Sequence, residues 1–375
     1  MTTQLAASLS RIMLHAVVMA GGSGTRFWPE SRQRRPKQLL PILGGQAMLA
    51  ETVARVQPLI PDSRIWVVTN ALQEAGVREA CPGVPADQIL VEPCARNTAA
   101  CVAFAAASVL AADPDATLAV LPADHAIRPA EEFQRSLEAG AKVAQEPGTL
   151  VTFGIEPNHP ATGYGYIRQG KAVCEESGLQ VYAVDAFTEK PSENRAKAFL
   201  DEGVYLWNAG IFVWRADSIL GAFARHQLEI HTAVRAIVDS GGNPEERAAT
   251  LAELYPDLPS LPVDIAILEL DDQVRVLRAP YHWSDVGSWR ALFEELEQND
   301  DGNVAVLPNG GQLLAEDSSG VLAYSRVPKT IAVLGMQDVV VVHTEDAVLI
   351  APRARAEEVK RFVDRLKEED QEDLL

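Results

Sequence analysis

The sequence predicts an α/β fold, doubly wound around a mostly parallel, mixed sheet, with a small all-β appendage and a terminal helix. Three observations predict it. Short apolar runs alternate with helical segments through the first half; strands buried on both faces read as continuous Val/Ile/Leu runs. A glycine-rich turn follows the first run directly, and the composition turns polar near Asp300 before a series of short β-type pieces.

The first strand is placed at 15–20, and others at 64–69, 88–91, 117–121 and 149–155. Between them, 47–56 and the alanine-rich 97–112 carry helical spacing, with Asn97 and Thr98 as an N-cap pair. Strand 181–187, helix 193–200 and strand 205–214 follow, then a helical stretch rich in acids and alanines and a strand at 274–279. No flexible linker interrupts these elements, so 14–299 reads as one domain and 300–375 as a second unit. At 356–367, Val359, Phe362, Val363 and Leu366 fall at i, i+3, i+4 and i+7, the pattern of an amphipathic helix.

Composition narrows the function. With 33 Lys+Arg against 52 Asp+Glu the net charge is −19, which argues against broad binding to nucleic acid or an anionic membrane. No apolar run approaches a membrane span. Arg11 is the only basic residue before the first strand and no long apolar core follows it, so a secretory signal is not expected; Met13 is an alternative start. Cys81, Cys94, Cys101 and Cys174 lack zinc-ligand spacing and read as buried thiols of a reducing cytoplasm.

The densest chemical signal is GGSGTRFWPESRQRRPKQ, residues 21–38. Gly21, Gly22 and Gly24 allow close backbone approach to a phosphate, and Arg26 and Lys37 add positive charge. The block is neither GxGxxG nor a Walker A loop, so a nicotinamide dehydrogenase is poorly supported. Asp124 follows an apolar strand, at the sheet edge where α/β folds bind ligands, and Asp285 lies in a turn before Gly287. Taken alone, either aspartate reads more readily as a cap or turn residue, and Glu189-Lys190 before Pro191 as a solvated turn.

The 21–38 block resembles the signature of sugar-1-phosphate nucleotidyltransferases, specifically of mannose-1-phosphate guanylyltransferases. Six further blocks agree in order: EPCARNTA (92–99), LPADH (121–125), TGYGYI (162–167), FTEKP (187–191), WNAGIF (207–212) and WSDVGSW (283–289). The resemblance implies a Rossmann-like nucleotidyltransferase domain and a short left-handed β-helix appendage, which in this family often mediates dimers. It implies GTP and mannose 1-phosphate as substrates, Mg2+ as cofactor and a homodimer. Arg26, Lys37, Asp124 and Lys190 become the implied catalytic groups, and Asp124 with Asp285 the implied metal pair. Gly21, Gly22, Gly24, Thr25, Glu92, Asn97 and Thr98 fall to the nucleotide, and Gly165, Glu189 and Asn208 to the sugar. His125 and the tryptophans Trp207, Trp283 and Trp289 read as structural.

The segment VDIAILEL (263–270) departs from the family pattern. Asp264 and Glu269 are kept, but Ile265 and Leu270 replace a Tyr and a Lys, removing polar partners for phosphate or sugar. The implied reaction is GMP transfer from GTP to α-D-mannose 1-phosphate. The alternatives are the same chemistry on another sugar phosphate or nucleotide, and a non-catalytic nucleotide-sugar-binding relative. The stretch 300–375 is too short for an added phosphomannose isomerase domain, so bifunctionality is not expected.

Overall fold

The computed structural model describes residues 12–22, 24–240 and 243–375; the expectations for Arg11, for the N-terminal segment and for Ser23 of the signature block lie outside them. The strands of the first unit are β1 (Leu14–Met19), β2 (Ile65–Asn70), β3 (Ile89–Glu92), β4 (Thr117–Pro122), β5 (Ala126–Arg128), β6 (Leu150–Ile155), β7 (Tyr166–Glu176), β8 (Leu179–Thr188), β9 (Tyr205–Arg215), β10 (Val274–Arg278) and β11 (His282–Ser284). Nine of them form one sheet in the order β3-β2-β1-β4-β9-β6-β10-β8-β7. The β3-β2-β1-β4 half is parallel throughout, whereas β9 runs antiparallel to both β4 and β6. The mixed, mostly parallel class read from the sequence is the one observed.

Alternation along β1 shows how the sheet is covered. Ala16 and Val18 face a core shared with helices Met48–Val56 and Ala130–Val143. Val17 faces the opposite core, against helices Asn97–Ala112, Ala216–His226 and Leu228–Asp239. The helix Asn97–Ala112 buries nearly its whole circumference, which only small side chains permit at such close packing.

The C-terminal unit is a β-coil. β12 (Val304–Val306), β14 (Leu322–Ser325) and β16 (Val339–His343) stack in parallel, with Val304 opposite Leu322 and Leu322 opposite Val340, each eighteen residues apart. The same eighteen-residue step pairs Gln312 of β13 (Gln312–Glu316) with Thr330 of β15 (Thr330–Leu334). β17 (Val348–Pro352) closes the stack antiparallel to β16. The appendage shares a core with the first unit: Leu322, Tyr324 and Val340 pack with Phe27, Leu40, Trp289 and Phe293.

Two expectations need correction here. The terminal α-helix spans Lys360–Glu368, and the residues ahead of it, Arg353–Val359, form 3-10 turns. Val359 and Val363 are buried as the periodicity required, but Phe362 is half exposed, its ring 6.0 Å from that of Trp28. Of the four cysteines only Cys81 and Cys101 are buried. Cys174 is exposed because it lies on the outer β7–β8 hairpin, where the sheet ends in water.

Candidate functional site

The site is assembled at the ends of β1, β3, β4 and β9 and in the turn after β11. β1 delivers the chain into the loop that starts at Gly21, and there the backbone turns left-handed at Gly24, with φ +57°. A Cβ on Gly24 would lie 2.5 Å from the main-chain nitrogen of Lys37, so only glycine lets the loop lie against the Pro36-Lys37 segment. Gln38 fastens the two together: its buried amide donates to the carbonyls of Ala20 (3.0 Å) and Gly22 (2.9 Å). Gln73 adds a donor to Gly22 O at 3.1 Å. Among the described residues the N–H groups of Gly21, Gly22 and Gly24 meet no protein acceptor, which leaves them available to an anion. Thr25 opens the 3-10 turn Thr25–Phe27, anchored by Phe27 at 4.9 Å from the Trp289 ring.

Lys37, itself buried, is the hub. Its ammonium donates to Asp124 Oδ2 at 2.9 Å and to the Asp285 carbonyl. Burial works against ionisation of Asp124, but the charges of Lys37 and Arg26 and the hydrogen bond from Lys37 hold its carboxyl below the usual range. The Asp285 carboxylate accepts the Tyr164 hydroxyl on Oδ1 at 2.8 Å. The exposed Arg26 guanidinium and both Asp285 carboxylate oxygens lie within 3.2 Å of the Cβ position on Gly287. Burial pushes the His125 imidazole down to about 4, and its Nδ1 accepts the Trp283 indole N–H at 3.1 Å. A neutral, acceptor imidazole is therefore held in place by its neighbour, and Trp207, Trp283 and Trp289 are all buried.

Asp124 meets the Lys37 ammonium through its carboxylate and Asp285 through its main-chain carbonyl, the Asp285 carboxylate lying on the Tyr164 hydroxyl, so two hard carboxylates flank the lysine. That donor set suits a Mg2+-like cation that completes its shell with water and phosphate oxygens. Among the described residues no group of three or more His, Cys, Asp or Glu is placed to hold a metal alone.

A second cluster lies across the sheet. Gly165 lies against the Glu189 carboxylate: a Cβ there would stand 2.7 Å from Glu189 Oε2 and displace it. Glu189 Oε1 pairs with Lys190 at 3.0 Å, and Lys190 itself is in the left-handed region, φ +43°. Asn208 on β9 is buried; its amide donates to Asp264 at 2.7 Å and its Oδ1 accepts the Thr152 hydroxyl at 2.9 Å. Burial first, and then the Glu189 charge, pushes the Asp264 carboxyl up to about 7. Ile265 and Leu270, the two departures from the family pattern, are 39% and 55% exposed.

The third cluster surrounds Glu92 at the end of β3. Its Oε2 lies 3.2 Å from the Cβ position on Gly21, and its Oε1 accepts the Tyr255 hydroxyl. Burial pushes this carboxyl up to about 7. The N-cap expectation for Asn97 and Thr98 is corrected. Arg96 is the cap position, and Asn97 opens the helix at φ +61° with its side chain accepting the Thr98 N–H. The Thr98 hydroxyl instead accepts the Val263 N–H at 2.9 Å.

The sequence-expected residues thus gather in three adjoining clusters: Gly21 with Glu92, Gly24 with Lys37, Asp124, Asp285 and Arg26, and Gly165 with Glu189, Lys190 and Asn208. Gln38, Tyr164, Tyr255 and Asp264 were given no role from sequence. Gln38 and Tyr164 lie inside the quoted blocks, but Tyr255 lies in none.

Residues 15–302 match the model of the nucleotidyl transferase family. The chain belongs to that family. Residues 311–366 match the family of MannoseP isomerase/GMP-like β-helix domains. A mannose-1-phosphate guanylyltransferase of Klebsiella pneumoniae is 37% identical over 95% of this chain and 74% of its own length. One of Sinorhizobium fredii is 38% identical over 93% of this chain and 67% of its own length. Among solved structures, a Thermus thermophilus protein described as a mannose-1-phosphate geranyltransferase superposes with a TM-score of 0.84 at 34% identity, covering 94% of this chain and 99% of its own.

Proposed function

We propose that this member of the family transfers GMP from GTP to α-D-mannose 1-phosphate, giving GDP-mannose and pyrophosphate. A sugar-phosphate oxygen forms the new bond to the α-phosphorus in line, the bond from that phosphorus to the bridging oxygen breaks, and the leaving electron pair departs with pyrophosphate. Catalysis of this kind rests on positioning and charge stabilisation. The single observation that carries the reading is the buried Lys37 ammonium, fixed between Asp124 and the Asp285 main chain beside a glycine loop whose N–H groups meet no acceptor among the described residues.

In this reading Gly21, Gly22, Gly24 and Thr25 meet the triphosphate, while Arg26 and Lys37 neutralise it. Lys190 holds the phosphate of the nucleophile, and Gly165, Glu189 and Asn208 orient the sugar. Glu92, Asn97 and Thr98 face the base, where guanine presents donors that require acceptors. Asp124 and Asp285 would hold a divalent cation, Mg2+ in this reading, which supplies positive charge against the phosphate oxygens. Among the described residues no helix is long and apolar enough to cross a membrane. The reading places the enzyme in the cytoplasm as a homodimer joined through its β-coil, on which Leu334 and Ile350 are exposed; sedimentation tests the pairing.

The deciding experiment measures pyrophosphate release with Mg2+, crossing the common nucleoside triphosphates with mannose and glucose 1-phosphates. Preference for GTP with the mannose ester is expected. Turnover only with another pair would move the specificity, as the exposed Ile265 and Leu270 would then explain. No turnover with any pair would overturn the enzymatic reading.

A further inference from the structure

A segment that runs from Tyr255, outside every sequence motif, to Val263 braces the base-side cluster. Tyr255, fully buried in the 3-10 turn Tyr255–Asp257, donates its hydroxyl to Glu92 Oε1. Six residues on, the Leu261 carbonyl accepts the Ala99 N–H at 3.0 Å, and the Val263 N–H donates to the Thr98 hydroxyl at 2.9 Å. Residues 255–263 therefore hold both Glu92 and the first turn of helix Asn97–Ala112. The Tyr255 ring meets Phe104 of that helix edge to face, with centroids 5.9 Å apart, so the hydroxyl has one direction in which to point.

We propose that Tyr255 is a positioning residue for base selection: its hydroxyl fixes the Glu92 carboxylate so that Oε2, beside Gly21, receives the N1–H and N2-amine edge of guanine. The inference rests on the assignment of Glu92 to the base in the preceding section and extends it to a residue with no motif of its own. The chemistry requires such a partner. Two adjacent guanine donors are read by an acceptor, and only the ionised carboxylate accepts on both oxygens. Burial disfavours that ionised form, and the Tyr255 hydrogen bond opposes the effect of burial. Among the described residues, the other titratable groups acting on the pair are the thiols of Cys101 and Cys94, which bring no positive charge to replace the hydroxyl. Without it, Glu92 would turn an O–H toward guanine N1–H, donor against donor.

The test compares kcat/KM for GTP and ITP, with mannose 1-phosphate, in the full-length protein. ITP keeps N1–H but lacks the N2 amine. Tyr255→Phe removes one hydroxyl and keeps the ring, and Glu92→Gln and the double variant are measured beside it, with thermal melting to confirm folding. Tyr255→Phe is expected to lower the GTP/ITP ratio about tenfold, the scale of one buried hydrogen bond, and the double variant to be no worse than Glu92→Gln. Tyr255→His, which retains a donor, is expected to recover part of the ratio; it carries the same comparison should the Phe variant not fold. An unchanged ratio in the Tyr255 variants, with a lowered one in Glu92→Gln, would overturn the proposal and leave Glu92 reading the base. An unchanged ratio in Glu92→Gln as well would overturn both assignments, whereas absence of GTP turnover by the unaltered protein would fail the reaction itself.

Discussion

The Lys37 ammonium and the Asp124 carboxylate, 87 positions apart in the chain, meet at 2.9 Å with Lys37 almost wholly buried. The partly exposed Asp124 carboxylate gives the buried Lys37 charge a partner, and the Lys37 main chain lies against Gly24 of the glycine loop. Lys37→Met is expected to lower kcat/KM for pyrophosphate release about 10²-fold or more, the scale of losing one preorganised stabilising group. The melting temperature should fall as well, because Asp124 is left unpaired. Lys37→Arg should not restore activity, since a planar fork cannot replace a point charge shared between a carboxylate and a carbonyl. Near-normal turnover in the Met variant would remove Lys37 from the reaction.

The loop glycines should separate into two kinds. Gly24→Ala sets a Cβ against the Lys37 main chain and forces a left-handed φ on alanine, so it should lower the melting temperature and displace Lys37. At Gly22 the added Cβ meets nothing within 4 Å. Gly22→Ala should therefore melt with the unaltered protein yet raise KM for GTP, because the obstruction arises only with phosphate bound. Equal melting temperatures for the two variants would contradict this packing.

Glu92 gives the pH dependence of stability a defined sign. A carboxyl raised from 4.5 to about 7 in the folded state contributes stability below pH 4.5 that is lost progressively as pH rises toward 7. Ionising it in the folded chain costs about 3 kcal/mol. Glu92→Gln should thus be more stable than the unaltered protein at pH 8, by an amount that shrinks steadily between pH 7 and pH 4.5. Denaturant titrations at pH 5, 6, 7 and 8 check this, and a pH-independent difference would refute it.

Removal of divalent cations with EDTA should abolish pyrophosphate release, and Mg2+ should restore it. Asp285→Asn should raise the Mg2+ concentration giving half-maximal rate, and weaken Mn2+ binding followed by electron paramagnetic resonance. Unchanged Mn2+ affinity in that variant would remove Asp285 from the cation site.

Legibility followed local chemistry. β1, β2, β3 and β4 were readable because strands covered on both faces leave uninterrupted apolar runs. β7 was not, since its outer half, Arg168 to Glu176, is largely polar where the sheet meets water. Gly21, Gly22, Gly24 and Lys37 stood out because tight turns and fixed charges restrict residue types. Tyr255 did not, because its partner is 163 positions away and it lies in none of the quoted blocks. Asp264 was visible only as a kept position; its pairing with Asn208 spans 56 residues.

The shared core of the two units has a consequence for the chain as it is made. Phe27 sets the far end of the glycine loop, and residues that share its core, among them Trp289, Tyr324 and Val340, leave the ribosome more than 250 positions after it. During synthesis the strands β1 to β4 can pair, but the loop beyond β1 has no floor to rest on until the coil winds beneath it. Nascent chains ending before the coil should therefore be folded in part and catalytically silent, with competence arriving only once the coil has emerged.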